Sequence, residues 1–227
     1  MIERKKYLDV LIKNMNNGLP KVITGIRRCG KSYILNNIFK SYLIDIGVSE
    51  SNIIYIDLTK ISNAYYRDPI YLFEYVKELI NKNEGMNYVI IDEIQEVYSI
   101  INLALTNGKH VKAKSKDNDL ISFVDVVLDL SQFENVALYI TGSNSKMLSS
   151  DIITEFRDKA TNIRIMPLSF DEYLNYKKSD ETRALNEYMM FGGMPLAVLK
   201  NGIDKENYLK ELFEATYFKD IIDKNNI

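Results

Sequence analysis

At 227 residues, with 46% hydrophobic and 26% charged residues, the chain can form one large domain, or one domain with a small appendage. Its formal net charge of −2 gives no overall field that would attract nucleic acid or a membrane, so such a contact needs a local patch. The single cysteine, Cys29, excludes an internal disulfide, and the single histidine excludes a Cys/His zinc cluster.

Apolar runs of strand length recur at wide intervals along the chain. Several are continuous runs of β-branched or aromatic residues without alternation, which is typical of strands buried on both faces. The runs cover residues 21–26, 52–58, 88–94, 136–143 and 161–168.

Segments with helical spacing separate these strands. In "DPIYLFEYVKELI" the apolar residues fall on one face, Asp68 is placed to cap the helix, and Pro69 occupies its first turn. After residue 167 only helical patterns follow: "SFDEYLNYK", "TRALNEYMM" and "KENYLKELFEATYFKDIIDK".

Strands that alternate with helices predict an α/β fold with a mostly parallel five-stranded sheet between helices. We expect this α/β core to cover residues 1–166 and a C-terminal helical region to cover residues 167–227. Because the chain stops at "KNNI", directly after a helix with no evident terminator, we expect it to be part of a longer protein.

The stretch "GIRRCGKS", residues 25–32, lies between a predicted strand and a predicted helix. Gly25 and Gly30 let the backbone turn so that successive N–H groups face one anion, and the start of the helix adds a positive dipole. Lys31 is then placed for the β- and γ-phosphates of a nucleotide, and Ser32 for Mg²⁺. The pattern therefore predicts a phosphate-binding loop.

Two acidic residues, Asp92 and Glu93, end the apolar run "YVIIDEIQ". A carboxylate pair at the tip of a buried strand is costly unless a cation lies nearby. Beside a phosphate loop, Asp92 is predicted to bind the Mg²⁺ shell and Glu93 to polarise the attacking water. The alternative is that the two residues only cap the following turn.

The segment "YITGSNSKML" passes from a strand through small polar residues to a helix. Asn144 then lies at the carboxyl end of the sheet, where open α/β folds bind ligands. We expect it to orient the water or contact the γ-phosphate, or to cap the next helix together with Ser143; the two uses are compatible.

With these three elements the chain resembles an AAA+ P-loop ATPase. It is most similar to the prokaryotic family in which an AAA+ domain precedes a winged-helix domain of unknown function. The segments that carry the resemblance are "KVITGIRRCGKS", "VIIDEIQEV", "ITGSNSKMLSSDI", "IRIMPLSFDEYL" and "FGGMPLAV".

The resemblance implies an ATP/ADP and Mg²⁺ site built from Walker A, Walker B and sensor 1 residues. It implies catalytic roles for Lys31, Glu93, Asn144 and Arg157, and metal binding by Ser32 and Asp92. The residues that it places around the nucleotide are Gly25, Arg28, Cys29, Gly30, Lys31, Ser32, Tyr33 and Pro195. It also implies that a winged-helix part begins near residue 227.

The chain departs from the family pattern in two places. Where the family often has "FRGRG", this chain has "FRDKAT", which keeps Arg157 as the candidate arginine finger but has Lys159 in the second position. In "GGMPL", Leu196 stands where several relatives carry a sensor 2 arginine, so we expect residues 193–196 to border the adenine instead.

Three features of the loops leave alternatives open. Arg27 and Arg28 either contact phosphates or a partner, or are solvated. Cys29 either has a redox role or is a small residue that fits the loop. The lysine-rich segment, residues 106–119, is either a solvated loop or a nucleic-acid contact.

We therefore expect a Mg²⁺-dependent ATPase that drives a conformational change in a partner, in a homo-oligomer or in its own C-terminal domain. The alternatives are a slowly hydrolysing nucleotide switch and a DNA- or RNA-binding ATPase. No run reaches the roughly 18 apolar residues of a transmembrane helix. The charged start "MIERKKYLDVL" lacks a secretory signal, which predicts a cytoplasmic protein without membrane contacts.

Overall fold

The computed structural model describes residues 2–114, 116–142, 156, 159–214. The chain divides into two compact units. One unit, here called the sheet unit, consists of residues 6–24 and 31–164, and the other, here called the loop unit, consists of residues 1–5, 25–30 and 165–227.

The sheet unit contains five parallel strands in the order β2-β3-β6-β1-β7. The strands are β1 (Lys21–Thr24), β2 (Ile53–Asp57), β3 (Asn87–Asp92), β6 (Val136–Thr141) and β7 (Thr161–Arg164). A separate antiparallel pair joins β4 (Ile100–Ile101) to β5 (Leu120–Ile121). All five predicted strands and the predicted α/β fold are confirmed, and every pair in the large sheet is parallel.

Helices of the sheet unit cover both faces of the sheet. They are α1 (Lys5–Lys13), α2 (Lys31–Tyr33), α3 (Lys40–Asp45), α4 (Pro69–Lys82) and α5 (Phe123–Leu130), with a π-helical segment, Ile34–Phe39, between α2 and α3. Short 3₁₀ turns cover Glu50–Asn52, Ile61–Arg67 and Ile94–Glu96.

The apolar core forms on both sides of the sheet. On one face α4 and α5 pack their buried aliphatic side chains, among them Leu72 and Val127, against strand residues such as Val89. On the other face Phe39, from the π-helical segment, contacts Tyr139 with ring centroids 4.9 Å apart. A sheet buried on both faces explains why its strands read as unbroken apolar runs.

Helix α4 begins as its sequence predicts. The Asp68 carboxylate accepts hydrogen bonds from the backbone N–H groups of Ile70 and Tyr71, at 3.0 and 3.3 Å. Pro69 occupies the first turn, where the missing N–H group leaves no hydrogen bond unmade.

The loop unit contains four helices in its described part. They are α6 (Phe170–Lys177), α7 (Glu181–Phe191), α8 (Pro195–Val198) and α9 (Gly202–Phe213). Ser169 and Glu172 form a capping box at the start of α6. The predicted helical character after residue 167 is confirmed for this part, and the predicted division at residue 166 stays a prediction. In the described part of the chain no helix has the length and apolarity to cross a membrane.

Candidate functional site

Asp92 is the last residue of the interior strand β3 and is 3% exposed. Its Oδ2 atom accepts a 2.6 Å hydrogen bond from the Tyr55 hydroxyl, which comes from the neighbouring strand β2. Its Oδ1 atom accepts a short hydrogen bond from the hydroxyl of Thr141, at the end of β6 on the other side. Both oxygens of this buried carboxylate are therefore held in place by hydroxyl donors.

Thr141 has a second contact on the same edge of the sheet. Its hydroxyl oxygen accepts a 3.0 Å hydrogen bond from the backbone N–H of Glu93. Thr141 is completely buried, so one side chain fixes both the carboxylate of Asp92 and the backbone of the next residue.

Glu93 leaves the strand in a left-handed conformation, with φ 56° and ψ 53°. This conformation ends β3 at Asp92 and turns the chain into the 3₁₀ segment that follows. The Glu93 carboxylate accepts a short hydrogen bond from the side-chain amide of Gln95. A left-handed non-glycine residue is costly and is typical of positions held for function.

Tyr55 holds Asp92 on the side of α2. The pKa of Tyr55 is raised above its ordinary value, first by burial and then by its hydrogen bond to Asp92 and the charges of Asp92 and Asp57. The nearby Ser32 hydroxyl acts in the opposite direction on this pKa. Tyr55, Asp92 and Thr141 thus form one hydrogen-bonded chain within the sheet unit, and Ser32 lies beside its Tyr55 end.

Lys31 begins helix α2, and its side chain is buried, with 4% exposed. A lysine is seldom buried to this extent unless it is engaged with an opposite charge or with polar groups. Tyr33, two residues later, is 37% exposed.

In the loop unit, residues 25–30 form a tight turn against the segment that follows β7. Gly25 has φ 149°, and a Cβ atom there would collide with the carbonyl oxygen of Ile165. The Cys29 thiol is fully buried and donates a 3.4 Å hydrogen bond to the same carbonyl oxygen. This placement supports the interpretation of Cys29 as a small residue that fits the loop.

Arg4 also contacts this turn and is 3% exposed. Its guanidinium group donates to the carbonyl oxygens of Cys29 and Met166, at 3.4 and 2.6 Å. It also forms an ion pair with Glu172 of α6, at 3.0 Å. The amino-terminal segment therefore fixes the backbone of the turn.

Helices α8 and α9 approach the same turn within the loop unit. The Pro195 side chain would lie 3.7 Å from a Cβ atom placed on Gly30. Arg28 has a left-handed backbone, with φ 63°, and its guanidinium lies 5.9 Å from the ring centre of Tyr208 on α9. Two of the predicted nucleotide-site residues therefore have neighbours within the loop unit: Pro195 lies beside Gly30, and Arg28 lies beside Tyr208.

Two predicted catalytic residues, Asn144 and Arg157, lie outside the residues that the structure describes. Three residues of the hydrogen-bonded networks were not predicted from sequence: Tyr55, Thr141 and Arg4. Thr141 does lie at the end of β6, and this position is the signal by which it could have been found, whereas Tyr55 is the middle residue of β2.

The lysine-rich segment joins β4 to β5. His110 stacks on Tyr71, with ring centroids 4.5 Å apart, and its Nδ1 atom lies 2.9 Å from Oδ2 of Asp68. The Lys112 ammonium lies 4.9 Å from the ring centre of Tyr98. The His110 contacts anchor the middle of the segment to the start of α4, while Lys109, Lys112, Lys114 and Lys116 are exposed.

The residues present fit a magnesium ion that is held mainly by a nucleotide. Within the described part of the chain, no group of three or more His, Cys, Asp or Glu side chains is placed to hold a metal. Mg²⁺ characteristically takes one or two protein oxygen ligands and completes its shell with phosphate oxygens and water. The Asp92 carboxylate, which is hydrogen-bonded to Tyr55, and the Ser32 hydroxyl beside the same tyrosine would provide a ligand set of this kind.

Comparison with known proteins gives two relatives of about twice the length. The chain is 29% identical over 226 residues to an uncharacterized protein of Haemophilus influenzae, and the aligned region covers 97% of the chain and 50% of the relative. It is 31% identical over 238 residues to an uncharacterized protein of Methanocaldococcus jannaschii, and that aligned region covers 96% of the chain and 45% of the relative. The chain therefore spans about half the length of these relatives.

Among solved structures, the chain is similar to a Walker-type ATPase of Pyrococcus abyssi, with a TM-score of 0.53. The two are 14% identical, and the match covers 98% of this chain and 72% of that chain. At this identity the likeness shows a shared fold. The AAA domain family matches residues 17–174, more than half of the chain, and the protein therefore belongs to this family of P-loop ATPase domains.

Proposed function

We propose that the protein binds ATP together with Mg²⁺ and hydrolyses it to ADP and phosphate. The observation that carries the proposal is the buried Asp92 carboxylate in the sheet unit, held by Tyr55 and Thr141 and with Ser32 beside Tyr55. A hydroxyl at the start of the helix after the glycine turn and a buried carboxylate are the side chains that a metal-dependent phosphate site requires.

The phosphates are bound by the turn and by the helix start. Gly25 and Gly30 permit the backbone conformation that exposes successive N–H groups, and the first turn of α2 adds its partial positive charge. Lys31 supplies a full positive charge for the β- and γ-phosphate oxygens. Arg28, Cys29, Tyr33 and Pro195 complete the proposed surroundings of the nucleotide.

The chemistry needs a metal site and a base. Bound Mg²⁺ neutralises charge that develops on the phosphate oxygens. Ser32 and Asp92 hold it, and Glu93 accepts the proton of the attacking water. In the described structure the Glu93 carboxylate is held by Gln95, and its backbone is held by Thr141.

Two further residues are assigned on the sequence resemblance alone. Asn144 orients the water or contacts the γ-phosphate. Arg157 acts as an arginine finger on the nucleotide of a neighbouring subunit. ATP hydrolysis then drives a conformational change in a partner, in a homo-oligomer or in a C-terminal domain of a longer protein.

A second candidate is a nucleotide switch that stays loaded and turns over slowly. The observation that favours it is Leu196, which stands where a sensor 2 arginine is expected and is 47% exposed. The third candidate is nucleic-acid binding through the lysine-rich segment. Two side chains of this segment, His110 and Lys112, are already in contact with the protein's own side chains.

Calorimetry of ATP binding in Mg²⁺ tests the proposal. Lys31→Ala should weaken binding by roughly ten- to a hundred-fold, because a charge-assisted contact is worth about 1.5–3 kcal/mol. Lys40→Ala is the matched control, since this lysine lies on α3 and forms an exposed ion pair with Glu50 at 3.6 Å. Unchanged affinity in Lys31→Ala would place the phosphates elsewhere.

A further inference from the structure

The Tyr55 hydroxyl occupies a position that the phosphate-loop and acidic-strand motifs do not account for. It lies on β2, in register with Ile90 and two residues before the pairing of Asp57 with Asp92. From there it donates to Oδ2 of Asp92 at 2.6 Å, and the Ser32 hydroxyl lies nearby. One hydroxyl group therefore holds the carboxylate that is assigned to the metal and neighbours the hydroxyl that is assigned to it.

The arrangement controls the direction of the Asp92 carboxylate. A carboxylate has two oxygens with about four lone-pair positions. Tyr55 takes one position on Oδ2, and Thr141 takes one on Oδ1. Both oxygens keep acceptor capacity, but the group has lost its freedom to rotate.

The fold alone does not require an acceptor for a tyrosine hydroxyl of this sheet. The Tyr139 hydroxyl is buried without a hydrogen-bond partner among the described residues. The Tyr55 side chain is only partly buried, yet its hydroxyl is committed to Asp92. This contact is therefore more than the fold alone demands.

We propose that Tyr55 is a positioning residue for the magnesium ion. It rests on the proposed function, because the metal enters with the nucleotide. Tyr55 holds the Asp92 carboxylate in one orientation beside Ser32, and these two side chains would hold the metal. Residues that orient metal-binding groups in this way typically change metal affinity by about 10–100-fold when they are removed.

The test compares ATP affinity in excess Mg²⁺ with ATP affinity in EDTA, for the full chain and for Tyr55→Phe. The ratio of the two affinities measures what the metal contributes. We expect the ratio to fall by about tenfold or more in Tyr55→Phe, with little change in the EDTA affinity. Binding of Mn²⁺ with ATP, followed by electron paramagnetic resonance, should weaken in parallel.

Tyr98→Phe is the matched control. This tyrosine also donates to a buried aspartate, with its hydroxyl 3.3 Å from Oδ2 of Asp68, and it contacts neither Ser32 nor Asp92 in the described structure. Its ratio should equal that of the parent protein. Thermal melting of both variants checks that each is folded.

Two outcomes would overturn the proposal: a raised ratio, or an unchanged ratio, with or without an equal loss of affinity in both conditions. A raised ratio would mean that the hydroxyl competes with the metal, and an equal loss would mean a structural role only. If the parent protein binds no ATP even in Mg²⁺, the proposed function itself fails. If the parent shows the metal effect and Tyr55→Phe keeps it, only the role of Tyr55 fails.

Discussion

The backbone N–H of Glu93 donates a 3.0 Å hydrogen bond to the hydroxyl oxygen of Thr141, although the two residues are 48 positions apart. The same hydroxyl donates to Asp92, so a single threonine sets the backbone of the proposed base and the carboxylate of the proposed metal ligand. Thr141→Val removes both contacts with almost no change in volume.

We expect Thr141→Val to lower ATP turnover by about a hundredfold, because small displacements of reacting groups have effects of this size. Two buried polar groups lose a partner, so the free energy of unfolding should fall by about 1–3 kcal/mol. Thr141→Ser keeps the hydroxyl and should retain most of the activity. Steady-state turnover and urea unfolding measure the two effects, and full activity in Thr141→Val would refute the role.

Glu93→Gln separates binding from hydrolysis. Glutamine has nearly the same shape, and Asp92 stays in place, so ATP binding in Mg²⁺ should be retained. Turnover should fall by about 10²–10⁴, the usual contribution of a positioned general base. Glu96→Gln, in the same 3₁₀ turn, is the control. Unchanged turnover in Glu93→Gln would move the base to another residue.

Gly25→Ala tests the close approach of the turn to Ile165. Alanine there meets both an unfavourable φ of 149° and a backbone carbonyl oxygen. In Gly85→Ala the φ is +80° but no atom lies within 4 Å of the added carbon, so only the backbone strain remains. We expect at least about a tenfold loss of ATP affinity for Gly25→Ala and none for Gly85→Ala, measured by calorimetry. Equal affinities would show that the phosphates do not depend on this turn.

The buried Lys21 side chain should make the free energy of unfolding depend on pH. Burial lowers the pKa of Lys21 from its ordinary value of 10.5 to about 8, and its Nζ atom donates to the carbonyl oxygen of Met15 at 3.1 Å. Between pH 8 and 10.5 the unfolded chain therefore binds more protons at this residue than the folded chain. The contribution of Lys21 to stability should rise through that window and be constant below it.

Lys21→Met should remove this pH dependence and raise the free energy of unfolding at pH 7 by about 1–3 kcal/mol. The measured quantity is the difference between parent and variant in the free energy of unfolding by urea, determined at pH 7 and at pH 10. A difference that does not change with pH would contradict the assignment.

ATP turnover by the isolated chain should depend on protein concentration. The proposed finger, Arg157, acts on a neighbouring subunit, and such an arginine contributes about 10³–10⁵ in rate. We expect slow turnover that rises with protein concentration across a roughly hundredfold dilution series and is lost in Arg157→Ala. A fast rate that is independent of concentration and survives the substitution would mean that one subunit holds a complete site.

Local sequence patterns were sufficient for the strands and for the cap of α4, because both depend on neighbours along the chain. The ends of the strands were predicted less accurately. The first predicted strand covers residues 21–26, but β1 ends at Thr24, since Gly25 leaves the extended conformation to approach Ile165. The predicted helix after the glycine turn also contains a π-helical segment, Ile34–Phe39, that no pattern indicated.

The partners of Asp92 depend on the order of the strands across the sheet. The third strand in the chain, β3, lies between β2 and β6, so Tyr55 and Thr141 reach Asp92 from opposite sides. The chain order alone does not give this arrangement. Arg4 is a more extreme case, because its ion-pair partner Glu172 lies 168 residues away.

The burial of Ile2 and Arg4 has a practical consequence for anyone who purifies the protein. Ile2 is 7% exposed and packs with Leu168 and Tyr173, so an affinity tag fused directly ahead of it adds polar chain next to an apolar cluster. Trimming the first four residues would remove the guanidinium group that binds Cys29 and Met166. Nucleotide affinities measured on protein that is tagged or shortened at this end should therefore be lower than those of the untagged 227-residue chain.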